Sequence, residues 1–298
     1  SENLLPLEVK CIDGRLYVTH DLSTSAVPLT GLEITAINTT TTKDILTLLL
    51  SNLGRDGNNY QYAYAVLNES FRFYFHTYFG FDMSYVIHYR TKDNRDSTCT
   101  ISGRNLDLIK KEKLIRYPIE VQPPESGLTL NIIDSVHTAV LDIKTFSPNI
   151  TNKKFRAEIS KYFETIRDSN TLNLILDLRD NSGGNPNHVK FILQHLFDEP
   201  FEQARECRVV KNRHKEELLT RTRKQWYPWY GIGKFKPRKN NFIGNVYALV
   251  NDGTYSAGVI FSSVLRKYNR AVFVGEETGG NPIIMAGYLI KTSWELPN

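Results

Sequence analysis

Two stretches of this chain share one pattern: an apolar run breaks at a glycine-containing turn and restarts as a helix. In the first, Leu172-Asn173-Leu174-Ile175-Leu176-Asp177-Leu178-Arg179 runs into Asp180-Asn181-Ser182-Gly183-Gly184-Asn185-Pro186. Val189, Ile192, Leu193, Leu196 and Phe197 then recur at helical spacing. In the second, the apolar residues 246–250 run into Asn251-Asp252-Gly253-Thr254-Tyr255-Ser256-Ala257-Gly258. Short apolar runs bounded by turn signals and followed by a 3.6-residue period spell strand, turn and helix. Strands that alternate with helices pair in parallel. Right-handed crossovers then bring the carboxyl ends of those strands, and both glycine turns, to one rim where sites form.

Ser256 stands at the first turn of the second helix. There, unpaired backbone N–H groups and the positive end of the macrodipole stabilise negative charge on an attacked carbonyl, which suits a nucleophile. The bland reading is an N-cap, the ordinary role of a serine after a turn. Gly183 and Gly184 allow backbone N–H groups to approach a reacting oxygen without interference from a Cβ. A plain tight turn is the alternative there.

The rest of the second half reads as a strand over 138–143, a helix over 155–167 and a strand over 271–275. That alternation describes an α/β sheet. An interruption at 201–242 concentrates basic residues, among them Lys234, Lys236, Arg238 and Lys239, around Trp226, Tyr227, Trp229 and Tyr230. Basic residues among aromatics can bind phosphates and stack bases. Only composition supports nucleic acid here, and with a formal net charge of +5 for the whole chain the favoured reading is a solvated or substrate-facing loop.

The first half reads as a mixed α+β module. Asp13-Gly14 between alternating apolar residues predicts a hairpin within 7–19, and 31–38 predicts a further strand. Ile45, Leu46, Leu49, Leu50 and Leu53 form a helical stripe with Gly54 as its expected cap. Tyr60, Tyr64, Phe71, Phe75 and Tyr78 follow at mainly helical spacing, as core residues of a second helix. Strands are expected at 84–89 and 97–102, and Pro118, Pro123 and Pro124 mark a boundary near 124.

With 41% hydrophobic residues, the 298-residue chain can bury the cores of two domains, and no run approaches a membrane span. Cys11, Cys99 and Cys207 lie far apart, so neither a disulfide framework, a metal site nor a cofactor is indicated.

The paired segments resemble the core motifs of the tail-specific, or C-terminal processing, serine proteases, within a superfamily that includes tricorn-like proteases and the retinoid-binding repeats. The resemblance rests on 176–184, on Thr254-Tyr255-Ser256-Ala257-Gly258-Val259-Ile260-Phe261, and on Arg270-Ala271-Val272-Phe273-Val274-Gly275-Glu276-Glu277-Thr278-Gly279-Gly280. It is specific over 136–298 and looser over 7–103, where it implies a degenerate, PDZ-like, substrate-binding module. It implies an N-terminal module over 1–124 and, over 125–298, an α/β protease core with a crotonase/ClpP-like sheet and crossover helices. It makes Ser256 the nucleophile, assigns the oxyanion hole to N–H groups of Ala257 and the Gly183-Gly184 turn, and implies a polypeptide substrate. It also implies an exported protein, periplasmic or at the cell surface.

One position departs from the bacterial pattern. Where those proteases carry a lysine as general base, this chain has Asn281. The non-lysine branch uses a histidine and an acidic residue, which by position would precede Ser1 and follow Asn298. The chain is therefore expected to be a fragment with its general base outside it. Seven histidines lie inside the chain, at 20, 76, 88, 137, 188, 195 and 214, and none matches that base by motif. His188, just after the glycine turn, is a possible active-site neighbour, with a partly exposed place on the first helical turn as the plainer reading. His137 is expected to open a strand. The sequence argues against an α/β-hydrolase: its elbow sets a glycine two residues before the serine and its histidine after it, whereas Gly253 is three residues before Ser256 and the last histidine is His214. The rivals are an inactive homologue that binds peptide or a small ligand and, more distantly, a crotonase-type acyl-CoA enzyme that would not need Ser256.

Overall fold

A computed structural model describes residues 3–118, 124–204 and 233–281. Most of the basic aromatic interruption, with Cys207, His214, Trp226, Tyr227, Trp229 and Tyr230, lies outside these residues.

The first part of the chain builds β1 (Leu7–Ile12), β2 (Arg15–Asp21), β3 (Glu33–Ile37), β4 (Thr40–Thr41), α1 (Thr42–Ser51), α2 (Gln61–Phe79), β5 (Ser84–Arg90), β6 (Asp96–Ser102) and α3 (Leu106–Arg116). Its sheet runs β1-β2-β3-β5-β6, all neighbours antiparallel, with β4 on β3. The hairpin falls where Asp13-Gly14 predicts it: both residues have positive φ, 51° and 73°, which matches the right-handed twist of the flanking strands. On α2, Ala63, Leu67, Phe71 and Phe75 repeat every fourth residue and are all buried. Removing either phenylalanine side chain from such a stripe costs about 3–5 kcal/mol. Tyr60 and Tyr78 fall off the stripe and are exposed, against the expectation that they pack in the core. Helix α1 stops at Ser51 rather than at Gly54, because the Asn52 N–H already reaches the carbonyls of Leu49 and Leu50 and no left-handed glycine is needed. The sequence reading omitted α3, which buries only Ile109 and so carries little apolar period.

The second part builds β7 (Leu128–Ile133), β8 (Thr138–Ile143), α4 (Asn152–Asp168), β9 (Asn173–Asp177), α5 (Pro186–Leu193), β10 (Phe201–Glu202), β11 (Lys234–Phe235), β12 (Asn245–Val250), α6 (Ala257–Lys267) and β13 (Val272–Gly275). Its five-stranded sheet runs β13-β12-β9-β8-β7; the first four are mutually parallel and β7 is antiparallel on the edge. The result is a mixed α/β architecture in which each sheet has its own hydrophobic core. Phe155, Ile159, Phe163 and Ile166 turn one face of α4 inward, and α5 packs between α4 and α6. His137 does not itself open β8; it sits just before the strand with φ 49° and its carbonyl accepts the N–H groups of Leu172 and Asn173.

The short strands β10 and β11 pair antiparallel and close the base of the interruption. Arg270 ties this base to the core, its guanidinium donating to the carbonyls of Leu196, Gly244 (3.0 Å) and Phe242 (2.7 Å). Of the basic residues described there, Arg238 lies over the Phe191 ring at 4.2 Å. Among the described residues, no helix is long and apolar enough to cross a membrane.

His195 is buried against Phe163 and Phe191, and that burial, with the Arg238 charge adding to it, pushes its pKa from 6.5 down to about 4. The unfolded chain therefore binds a proton below pH 6.5 that the folded protein refuses until about pH 4, so stability falls as pH drops through that window. In urea unfolding, the parent should lose about 2 kcal/mol more than His195→Leu between about pH 7 and pH 5. Equal losses would contradict this account of His195.

Candidate active site

Because β8, β9, β12 and β13 are parallel, their carboxyl ends share one rim, and four turns follow them there. The pairing of β12 with β9 sets Ala248 beside Leu176 and Leu249 beside Asp177, so the two glycine turns meet just beyond. The meeting is close. A Cβ on Gly183 would stand 2.6 Å from the Ser256 Cβ and 2.8 Å from the Ala257 nitrogen, and Gly183 has φ +106°. On its other side, a Cβ on Gly184 would lie 2.4 Å from the backbone of Phe146. Both positions need glycine for space and for conformation.

Ser256 occupies the N-cap position of α6, but it does not cap. Its backbone has φ 51° and ψ −114°, and its side chain makes no capping hydrogen bond. Neither its Oγ nor the Ala257 N–H has a hydrogen-bond partner among the described residues. A non-glycine residue in this region costs on the order of 1–3 kcal/mol and persists only where its surroundings over-determine it. The result is a half-buried hydroxyl beside a free N–H at the positive end of a helix of eleven residues. On the facing turn, the Gly183 N–H donates to Asn181 Oδ1 at 2.9 Å, whereas the Gly184 N–H has no acceptor among the described residues.

The side chains that shape the rim escaped the sequence reading. Asn181 is fully buried; its Nδ2–H donates to Ile143 O at 2.6 Å and its own carbonyl accepts the Tyr255 N–H at 2.8 Å. Its Oδ1 bond to Gly183 is an Asx turn, which the order Asn181-Ser182-Gly183 could have signalled. Asn251 donates to Asp180 Oδ1 (2.8 Å) and Thr254 Oγ1 donates to Leu178 O (2.8 Å), so the serine segment is bonded directly to the end of β9. Upstream, burial alone would raise the Asp177 carboxyl, but two bonds from the Arg179 guanidinium hold it below the usual carboxylate range.

The first part of the chain also reaches this rim. Tyr62 stacks on Tyr255 with ring centroids 3.7 Å apart, and Tyr255 donates its hydroxyl to Asp56 Oδ1 at 3.2 Å. Asn281 lies at the same junction, its N–H donating to Asp56 Oδ2 (3.2 Å), and Asn59 donates to Thr278 O (3.0 Å).

His188 is buried rather than partly exposed, because α5 turns it into the gap between Phe146 and α4. Its Nδ1–H donates to Phe146 O (2.8 Å), its Nε2 lies 2.7 Å from the Asn152 carboxamide and its ring stacks on Phe155. Both nitrogens are thus engaged, and burial lowers the pKa of the ring. His20 pairs with Glu8, His76 with Leu5 and Gly80, and His88 lies on β5, all in the first part of the chain. His137 lies at the amino end of β8, away from the rim.

The conformation of Ser256 predicts an inverted stability order. A serine N-cap is ordinarily as stable as glycine or slightly better, yet here Ser256→Gly should be more stable than the parent by about 1 kcal/mol or more, because only glycine accepts φ 51° freely and no cap bond is lost. Urea unfolding of the parent and the variant reads the difference, and a glycine variant no more stable than the parent would contradict strain at this residue.

The chain is 22% identical over 185 residues to a tail-specific protease of Haemophilus influenzae, an alignment covering 61% of this chain and 23% of that protein. It is 28% identical over 169 residues to a probable CtpA-like serine protease of Staphylococcus epidermidis, covering 52% of this chain and 28% of that one. The chain therefore spans about a quarter of the length of these relatives. Its fold is similar to that of mature CPAF, with a TM-score of 0.62 and 16% identity over 93% of this chain and 69% of that one. The family described as Peptidase family S41 matches residues 137–296, more than half of the sequence. By that match, this chain belongs to Peptidase family S41.

Proposed function

We propose that this chain is the core of a serine endopeptidase of the tail-specific type, with Ser256 as its nucleophile. The observation that carries the reading is the uncapped serine held at positive φ beside a helix N-terminal N–H that has no acceptor among the described residues. Ser256 Oγ attacks the scissile carbonyl carbon and gives its proton to a base. The Ala257 N–H and the glycine turn hold the oxyanion, with the unbonded Gly184 N–H as the turn's donor. The C–N bond breaks as the protonated base returns that proton to the leaving amine, and water, giving a proton to the same base, then hydrolyses the acyl ester and restores Ser256. The base is assigned to residues outside this chain: each described histidine is engaged elsewhere or sits away from the rim, and Asn281 replaces the lysine of the bacterial pattern.

The two separate cores support the division into modules over 1–124 and 125–298, the second of crotonase/ClpP-like build. The first is PDZ-like, and such modules take peptide by strand addition at a sheet edge. Here the outer edge of β1 is already engaged by one face of α2: Asn68 accepts the Cys11 N–H, Arg72 donates to Leu5 O and Leu7 O, and His76 accepts the Leu5 N–H. That favours a scaffolding role for this edge. The substrate is a polypeptide, and the proposed site of action is outside the cytoplasm, periplasmic or at the cell surface. An inactive homologue would have no reason to maintain strain at Ser256, and the active reading is the better supported.

The test is intact-mass labelling of this chain and of a form extended at both ends, using a fluorophosphonate probe, with Ser256→Ala beside each. Labelling of the extended form alone, together with casein turnover reduced at least about 10⁴-fold by Ser256→Ala, is the expected result. Labelling at any other serine, or turnover that survives the substitution, would contradict the assignment.

A further inference from the structure

We infer that Asp56 and Tyr62, in the loop and first turn that join α1 to α2, are positioning residues for Ser256, acting through the side chain of Tyr255. This rests on the reading of Ser256 as the nucleophile. Tyr255 is the residue before the strained serine, and its main chain is fixed from the core side: its N–H donates to Asn181 O, and its carbonyl accepts the Gly258 N–H, each at 2.8 Å. Two backbone bonds leave the side chain free to turn. That freedom is removed by residues almost two hundred positions earlier in the sequence. Tyr62 lies flat on the Tyr255 ring, 3.7 Å between centroids and 12° between planes, and Asp56 accepts its hydroxyl at 3.2 Å. Gly280 closes the ring's remaining face, where a Cβ would stand 3.0 Å from the Tyr255 ring. The same Asp56 carboxylate accepts the Asn281 N–H, so one side chain holds both the serine segment and the turn after β13.

A serine at φ 51° relaxes unless both flanks are held. Its carboxyl-side flank is α6; its amino-side flank is Tyr255, whose side chain is gripped by the first part of the chain. Releasing Tyr255 should allow the Ser256 backbone to rotate toward an ordinary helix-cap conformation, carrying Oγ away from the Ala257 N–H. A displacement of about 1 Å at a reacting atom is enough for a large rate loss. The junction thereby makes the reactivity of the serine conditional on the docking of the α1–α2 loop.

The experiment uses the extended, labelling-competent protein and measures the second-order rate of fluorophosphonate labelling at Ser256. Asp56→Ala and Tyr62→Ala should each slow labelling about tenfold or more, while Tyr62→Phe, which keeps the ring, recovers most of the rate. Tyr255→Phe removes only the hydroxyl and should slow labelling by a few-fold, which keeps the test decisive if Tyr62→Ala does not fold. A second readout needs no activity: the stability gained by Ser256→Gly over Ser256 should shrink by at least half in the Asp56→Ala and Tyr62→Ala backgrounds relative to the gain in the parent. Parental labelling rates in the folded variants, or an undiminished glycine advantage, would overturn the inference and leave the nucleophile assignment standing. If the parent itself fails to label, the nucleophile reading falls, and the stability comparison still decides whether the junction holds the strained backbone.

Discussion

A single buried residue, Asn181 in the turn after β9, ties together three of the strand ends at the rim. Through Nδ2 it binds the last carbonyl of β8, through Oδ1 it bends the chain into the glycine turn, and its backbone carbonyl anchors the segment after β12. Three strand ends that belong to different parts of the sequence are thus referenced to one residue with no solvent exposure. Bonds of this kind are expensive to leave unmade once buried, so the arrangement is satisfied as a unit or not at all.

From that anchor the contact between Gly183 and Ser256 follows. The glycine has no side chain to hold the serine off, and the serine is driven to a backbone conformation that lifts its hydroxyl clear of the helix it precedes. The N–H groups proposed to receive charge are likewise products of the backbone. One is the first N–H of α6, the other belongs to a turn whose neighbouring N–H is already bonded to Asn181. Because these dipoles are fixed before any ligand arrives, they require little reorganisation as charge develops.

Much of this was legible in the sequence. The strands and helices flanking both glycine turns announce themselves by apolar period, and Ser256, Ala257 and Gly183 lie where strand order brings them together. Several features were not legible, for physical reasons. Positive φ at a serine leaves no local mark, because it is imposed by neighbours on both sides. Helix α3 buries a single residue and so leaves little apolar period, whereas β7 went unread although Leu128, Leu130 and Ile132 alternate with the outward Thr129, Asn131 and Ile133. His188 reads as an exposed helix-start residue until α4 and Phe146 cover it. The Tyr62–Tyr255 stack joins residues with no pattern in common, and only the tertiary fold pairs them. Asn181 is the exception, since its Asx-turn signature lay open in the order Asn, Ser, Gly.

The claim that the two glycine turns form a preorganised anion site around Ser256 is tested most directly by a crystal structure of the phosphonylated extended protein. The account predicts the phosphonyl oxygen within about 3 Å of the Ala257 nitrogen and of a nitrogen in the Gly183–Gly184 turn, with Ser256 still at positive φ. An adduct whose oxygen points to solvent, or a serine relaxed into an ordinary cap beneath it, would contradict the account.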